Sequence, residues 1–204
     1  MRKRKKIPLS FYRREDVLQI AGELLGKVLV TCRDGVETAG RIVEVEAYAG
    51  TGDKASHAYG GRRTARNEVM YAEGGMAYVY LCYGIHHLVN VVTHRSGVPH
   101  AILIRALEPL SGIDLMLKRT GKEKPDHRLT RGPGNLSLAL GLDRSHNGMS
   151  LSGPSLFLAD DGFRYPGTAV GRSPRIGVGY AGEDAQLPYR FYIKGNPYVS
   201  GKPK

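Results

Sequence analysis

An α+β fold in a single compact domain is what this sequence predicts, with mixed, mostly antiparallel strands and interspersed helices. Three observations predict it. Short strand-like runs recur along the 204 residues, separated by many of the 27 glycines, about twice the ordinary share. Helical spacing is confined to a few segments. Helices and strands do not alternate in the regular βαβ order of a doubly wound parallel sheet. A chain of this length is expected to bury a sizeable core as one domain.

The elements follow in order. Asp16–Leu25 places Val17, Leu18, Ile20, Ala21, Leu24 and Leu25 at helical spacing, with Gly26 as the stop. Lys27–Thr31 and Arg41–Tyr48 read as strands, parted by turn signals at Asp34-Gly35 and Ala39-Gly40. Met76–Tyr83 and Ile85–Thr93 read as a hairpin closing near Tyr83-Gly84. His100–Arg105 is another short strand, after which Ser111 is expected to cap a helix reaching about Arg119. Gly134–Leu140 reads as a short helix with Pro133 at its start. Leu156–Ala159, Arg175–Val178 and Arg190–Lys194 are the later strands. The loops near 121–131 and 143–153 are polar.

Composition narrows the partners. Thirty Lys and Arg against nineteen Asp and Glu leave a formal charge of +11. Such a field attracts polyanions, nucleic acid first and anionic lipid second. No run approaches the roughly 18 apolar residues of a membrane span, so no membrane partner is expected. The start, Met-Arg-Lys-Arg-Lys-Lys, is basic and is not followed by the apolar stretch of a signal peptide. Residues 1–8 are read as a solvated tail and 9–204 as the domain. Cys32 and Cys82 lie in apolar runs without disulfide or zinc spacing, and read as buried thiols in a reducing compartment.

The chemistry concentrates between Arg41 and Asn90. On strand 41–48 side chains alternate, so Glu44, Glu46 and Tyr48 share one face and Val43, Val45 and Ala47 the other. The valine face is the expected core side. Taken alone, the carboxylate face reads as solvent decoration. Arg105, at the end of Ala-Ile-Leu-Ile-Arg, shifts that reading, because burying an arginine there is costly without a carboxylate partner. A Glu–Arg pair is either structural or holds a water for nucleophilic attack, with glutamate taking the proton.

The hairpin presents Tyr78 and Tyr80 on one face and Tyr83 at its tip. An aromatic side chain at an exposed turn can serve as a wedge between base pairs. Arg62, Arg63 and Arg66 lie in the loop Gly60–Asn67, either as a solvated basic loop or as phosphate contacts. The helix start at Arg131-Gly132-Pro133-Gly134 is a second candidate anion site. No metal site is expected: His86 and His87 are adjacent on a strand and face opposite ways, and no metal-ligand motif occurs.

With these residues in view, the chain resembles the alkyladenine (3-methyladenine) DNA glycosylase family, from about residue 9 to 200. The resemblance is carried by Arg41–Gly50 with His57, Gly60–Asn67, Tyr78–Asn90, and Leu103–Pro109 with its Arg-Ala-Leu-Glu-Pro end. Arg-Ile-Gly-Val-Gly-Tyr-Ala-Gly-Glu (175–183) and Arg190–Ser200 extend it. It implies a monomeric, cofactor-free enzyme on double-stranded DNA, with a compact fold and a protruding hairpin. Such an enzyme flips a damaged purine and hydrolyses its N-glycosidic bond. By resemblance, Glu46 is the general base, and Arg105 with the backbone carbonyl of Ile176 positions the water. Tyr48, His57 and Tyr80 enclose the flipped base, Asn90 lines the pocket, and Tyr83 fills the gap left in the helix. Ile85 and the arginines Arg62, Arg63 and Arg66 are expected at the DNA. The hairpin departs from animal relatives at Ile85-His86-His87, where they carry bulkier thioether and aromatic residues. A neutral leaving base would need an acid, for which His57 is a candidate. The setting implied is the bacterial cytoplasm at the nucleoid, or a eukaryotic nucleus. A non-catalytic nucleic-acid-binding module and a small-nucleoside hydrolase are the alternatives from other classes.

Overall fold

Nine strands form one antiparallel sheet in the computed structural model, which describes residues 4–201. They are β1 (Lys5–Lys6), β2 (Val28–Arg33), β3 (Val36–Ala49), β4 (Ala77–Cys82), β5 (His86–Thr93), β6 (His100–Ser111), β7 (Leu156–Asp160), β8 (Val170–Ser173) and β9 (Arg190–Ile193). The order is β1-β7-β2-β3-β6-β5-β4, with β9 joining β3 to β8. Helices α1 (Leu9–Tyr12), α2 (Val17–Leu24), α3 (Ile113–Thr120) and α4 (Pro133–Leu140) complete the regular structure. The α+β expectation holds.

β3 organises the molecule. Its first half pairs with β2 through Val36–Arg41, while Glu44–Glu46 pair with β9 on β3's other stretch. The register against β6 shifts around Ile42, Glu44 and Val45. Such irregularities bend a strand and re-aim its side chains. The strand thus changes partner where it carries its two carboxylates. Both of its faces are covered there: Val43, Glu44, Val45, Glu46 and Ala47 have no exposure. Solvent decoration is therefore ruled out for the carboxylate face.

Local signals account for the helices. Asp16 caps α2 by accepting from the amides of Leu18 and Gln19 at 2.8 and 2.9 Å, and the helix buries Val17, Ile20, Ala21 and Leu24. Pro133 opens α4, where its missing N–H costs nothing. Ser111 does not cap α3. It is the last residue of β6 and donates to Glu37, while Gly112 at φ +73° makes the turn. β6 thus runs past Arg105, because Ala106, Leu107 and Glu108 continue the ladder with β3. Arg175–Val178 is not a strand. Its backbone leaves the sheet to reach Glu46, as described below.

The basic start enters the fold early. Met1–Lys3 lie outside the described residues, but Lys5 and Lys6 pair with β7 and Ile7 is buried in the core. The cysteines are half-buried rather than buried, Cys32 near the end of β2 and Cys82 at the end of β4. Among the described residues, no helix is long and apolar enough to cross a membrane.

The hairpin of β4 and β5 projects. At its tip Tyr83 (φ +50°) and Gly84 (φ +71°) are both left-handed, and the Ile85 amide donates to the Cys82 carbonyl at 3.1 Å. Two positive φ values in succession suit the right-handed twist of a hairpin. A tyrosine there costs roughly 1–2 kcal/mol. Tyr83 is 91% exposed and Ile85 72%. The tip therefore forgoes both relaxed backbone geometry and apolar burial.

Candidate active site

Glu46 is fully buried, and it accepts three hydrogen bonds. The Ile176 amide donates to Oε1 at 2.7 Å; the Tyr48 hydroxyl and Arg105 Nη1 donate to Oε2 at 2.9 and 3.2 Å. Tyr48 and Glu46 lie two apart on β3, so they share a face. Arg105 comes from β6 beside it, and Ile176 from the loop that follows β8. Burial and the Glu46 charge push the Tyr48 hydroxyl far above its ordinary pKa, so it stays protonated as a donor. Burial alone would lower Arg105, but Glu46 and Glu44 outweigh it and its pKa is raised.

A second layer holds Arg105. Its Nε donates to Glu44 at 3.0 Å and its Nη2 to Ser200 Oγ at 3.1 Å. Glu44 also accepts from Arg190 Nε at 2.8 Å and from the Ser200 amide at 2.6 Å. Two buried carboxylates thus meet two buried arginines, and every one is hydrogen-bonded, as interior charge requires. Further out, Arg175 forms a two-pronged pair with Asp53 at 2.5 and 2.8 Å. The same guanidinium lies 4.8 Å from the Tyr48 ring centre and 5.2 Å from that of Tyr189.

In front of this cluster opens a pocket of about 600 Å³, lined by Tyr48, Arg105 and Ile176 at the carboxylate end. Its aromatic wall comes from the hairpin and the loop after β3. The His57 ring centre sits 4.8 Å from Tyr80, and Tyr80 lies 5.2 Å from Tyr78. His57 Nδ1 bonds the Tyr78 hydroxyl at 2.9 Å. Burial, then Arg66 and Arg62, hold His57 below its usual pKa, so it is disfavoured as a proton donor at neutral pH. Asn90 is buried and lines the pocket; its Nδ2 donates to the Tyr78 carbonyl at 3.0 Å. Tyr83 and the exposed Tyr180 flank the opening.

Glu46, Tyr48, His57, Tyr80, Tyr83, Asn90, Arg105 and Ile176 therefore come together around the pocket, whereas Ile85, Arg62 and Arg63 do not line it. Ile176 reaches Glu46 through its N–H. Of the loop arginines, Arg66 lines the pocket and lies 5.2 Å from the Tyr80 ring centre. Arg63 is paired with Glu68 at 2.5 Å and stacks on Tyr71, while Arg62 stays exposed. Ile85 projects beside the tip. Gly132, Pro133 and Gly134 at the start of α4 line the same pocket. Among the described residues no three His, Cys, Asp or Glu side chains gather so as to hold a metal ion.

Sequence reasoning named Glu44 only as a neighbour of Glu46 on the strand face, and passed over Asp53, Arg175, Arg190 and Ser200 as site residues. One signal could have found two of them. Arg175 and Arg190 each open a short apolar run, as Arg105 closes one, and each needs a buried carboxylate.

A pocket walled by aromatic rings and backed by an arginine-clamped carboxylate has the shape and chemistry to take a flat aromatic group beside a potential general base. Comparison with known proteins names the family. Residues 10–197 match the methylpurine-DNA glycosylase (MPG) family. A Chlamydia abortus protein is 49% identical over 188 residues, 92% of this chain and 97% of its own. One from Bacillus cereus is 46% identical, with 96% and 98% covered, and one from Desulfitobacterium hafniense 44%, with 97% and 100% covered. All three are provisionally named 3-methyladenine DNA glycosylase. The chain belongs to the methylpurine-DNA glycosylase family.

Proposed function

We propose that this protein, as a single-domain monomer, excises methylated purines such as 3-methyladenine from double-stranded DNA. It flips the base into the aromatic pocket and hydrolyses the glycosidic bond with a water activated by Glu46. The observation that carries the reading is the position of Glu46, behind three pocket-lining groups that all donate to it. A carboxylate offers about four acceptor sites, so one remains for a water. Glu46 has no exposed surface, so a water reaches its remaining acceptor site only when Tyr48, Arg105 or the Ile176 backbone gives way, and it then sits between these groups and the sugar of the flipped nucleotide.

The energetics suit a cationic lesion. Binding is driven by phosphate neutralisation and falls with salt. Flipping costs a few kcal/mol of unstacking, less at damage. Stacking on Tyr48, Tyr80 and the neutral His57 returns about 1–3 kcal/mol per base, with a cation–π share. A positively charged purine leaves without protonation, which fits a His57 that resists carrying a proton. Tyr83 occupies the vacated stack, and Ile85, Arg62 and Arg66 meet the duplex around it.

The test is release of free base from duplex DNA carrying alkylated purines, followed by single-turnover kinetics and repeated in EDTA. Release by the wild-type chain supports the reading. Lesion binding without release would point to a non-catalytic module. Equal turnover of free nucleosides would point to a nucleoside hydrolase.

A further inference from the structure

The outer edge of the hairpin holds a second, smaller cavity that the base pocket does not use. It measures about 350 Å³ and is bounded by Arg66, Val79, Leu81, Arg144 and Asn147. Arg144 is exposed and, among the described residues, makes no ion pair. Asn147 accepts the Val79 amide on Oδ1 at 2.9 Å, which fixes its amide orientation and leaves Nδ2 as a donor. Arg66 spends one N–H on the Leu81 carbonyl at 3.3 Å and also bonds Tyr78, which leaves further N–H groups of its five. β4 is the last strand of the sheet, and its Ala77 and Val79 amides turn to the outer edge, to Met149 and Asn147. Strand alternation turns the Leu81 N–H to the same edge. The nearest carboxylate in sequence, Asp143, is engaged by Ser145 and His146 and does not line the cavity.

Each polar side chain of this notch, Arg66, Tyr80, Arg144 and Asn147, can thus donate a hydrogen bond, and no lining group is acidic. That is the donor set for a phosphodiester oxygen. Arg66 and Tyr80 belong to the notch and to the base pocket alike. A phosphate held in the notch is therefore fixed relative to the flipped base. We propose that the Arg66–Arg144–Asn147 notch binds a DNA backbone phosphate flanking the flipped nucleotide, with Arg144 as its outer clamp. The proposal rests on the duplex-DNA reading above. A contact of this kind is blind to sequence and damage, so it serves register and searching rather than lesion choice.

Arg144→Ala, Arg144→Lys and, as a control, Arg164→Ala are compared with wild type. Arg164 sits with Asp160 beyond β7, at the far end of the sheet from β4. Fluorescence anisotropy follows binding to damaged and undamaged duplexes over a range of salt, and excision is measured on the same samples. Arg144→Ala is expected to weaken both duplexes alike, by roughly two- to fivefold, and to reduce the log–log salt slope by about one. Arg144→Lys should keep most of the affinity and the slope, and Arg164→Ala should change little. An Arg144→Ala loss no greater than that of Arg164→Ala overturns the proposal. So does a loss confined to the damaged duplex, because a contact that serves register and searching is made before flipping and must be felt on both duplexes. Wild-type protein that binds duplex but releases no base refutes the glycosylase reading and leaves the notch to be judged by binding alone.

Discussion

The Ile176 amide donates to Glu46 Oε1 at 2.7 Å, joining a loop and a strand 130 positions apart. The bond fixes one oxygen of the carboxylate, while Tyr48 and Arg105 fix the other. A carboxylate so held cannot rotate to suit a substrate. The substrate must be brought to it, which is the task of the aromatic pocket.

Glu46→Gln is expected to lower single-turnover excision by about 10²–10⁴-fold while lesion-duplex binding persists. Glutamine cannot take the water's proton. It also turns an NH₂ toward one of three donors, so stability should fall by about 1–3 kcal/mol. Borohydride added during wild-type turnover should trap no protein–DNA adduct, since water is the nucleophile. Near wild-type excision by the variant, or a trapped adduct, would end the mechanism.

Tyr83→Ala should leave folding stability within about 0.5 kcal/mol, because the side chain is 91% exposed. Capture of a flipped base in duplex DNA should weaken, and cleavage of a free modified nucleoside should change far less. Loss of both together, with a lowered melting temperature, would make Tyr83 a folding residue instead.

Asp53→Ala should cost about 3–5 kcal/mol in urea unfolding, because it strands the buried Arg175. Arg175 also stacks on Tyr48, so stacking of a base analogue in the pocket should weaken in parallel. A cost below about 1 kcal/mol would mean that water readily replaces the pair.

His57 and His100 are both held below the usual 6.5, chiefly by burial, helped by Arg66 and Arg62 in one case and His94 in the other. Between 6.5 and those depressed values the unfolded chain binds protons that the folded chain refuses. Their contribution to stability is therefore full above the unfolded value and is lost as pH falls through this window. Melting temperature should drop from about pH 7 to about pH 5, and His57→Gln should flatten part of the slope. Asp161, lowered to about 2 by its bond to Arg41 against the opposing effect of burial, acts only in stronger acid. An unchanged slope in the variant would contradict the assignment to His57.

What the sequence determined by itself is what short range governs. Period-two alternation marks 41–48 and the hairpin as strands, Asp16 marks a helix start, and Tyr83-Gly84 marks the turn. Residues on one strand face, such as Glu46 with Tyr48, or Tyr78 with Tyr80, follow from that alternation alone. The family resemblance added roles for single positions. Tertiary structure decided the rest. Ser111 has the chemistry of a cap, yet pairing with β3 holds it in β6. Arg175–Val178 has a strand-like pattern, yet its backbone is drawn to Glu46. Glu44 looks solvent-facing until β9 and the chain around Ser200 cover it, with partners up to 156 positions away. A buried charge requires a partner but does not name one. Which arginine meets which glutamate is settled only when the whole sheet closes, because the partners' distance in space does not depend on their distance along the chain.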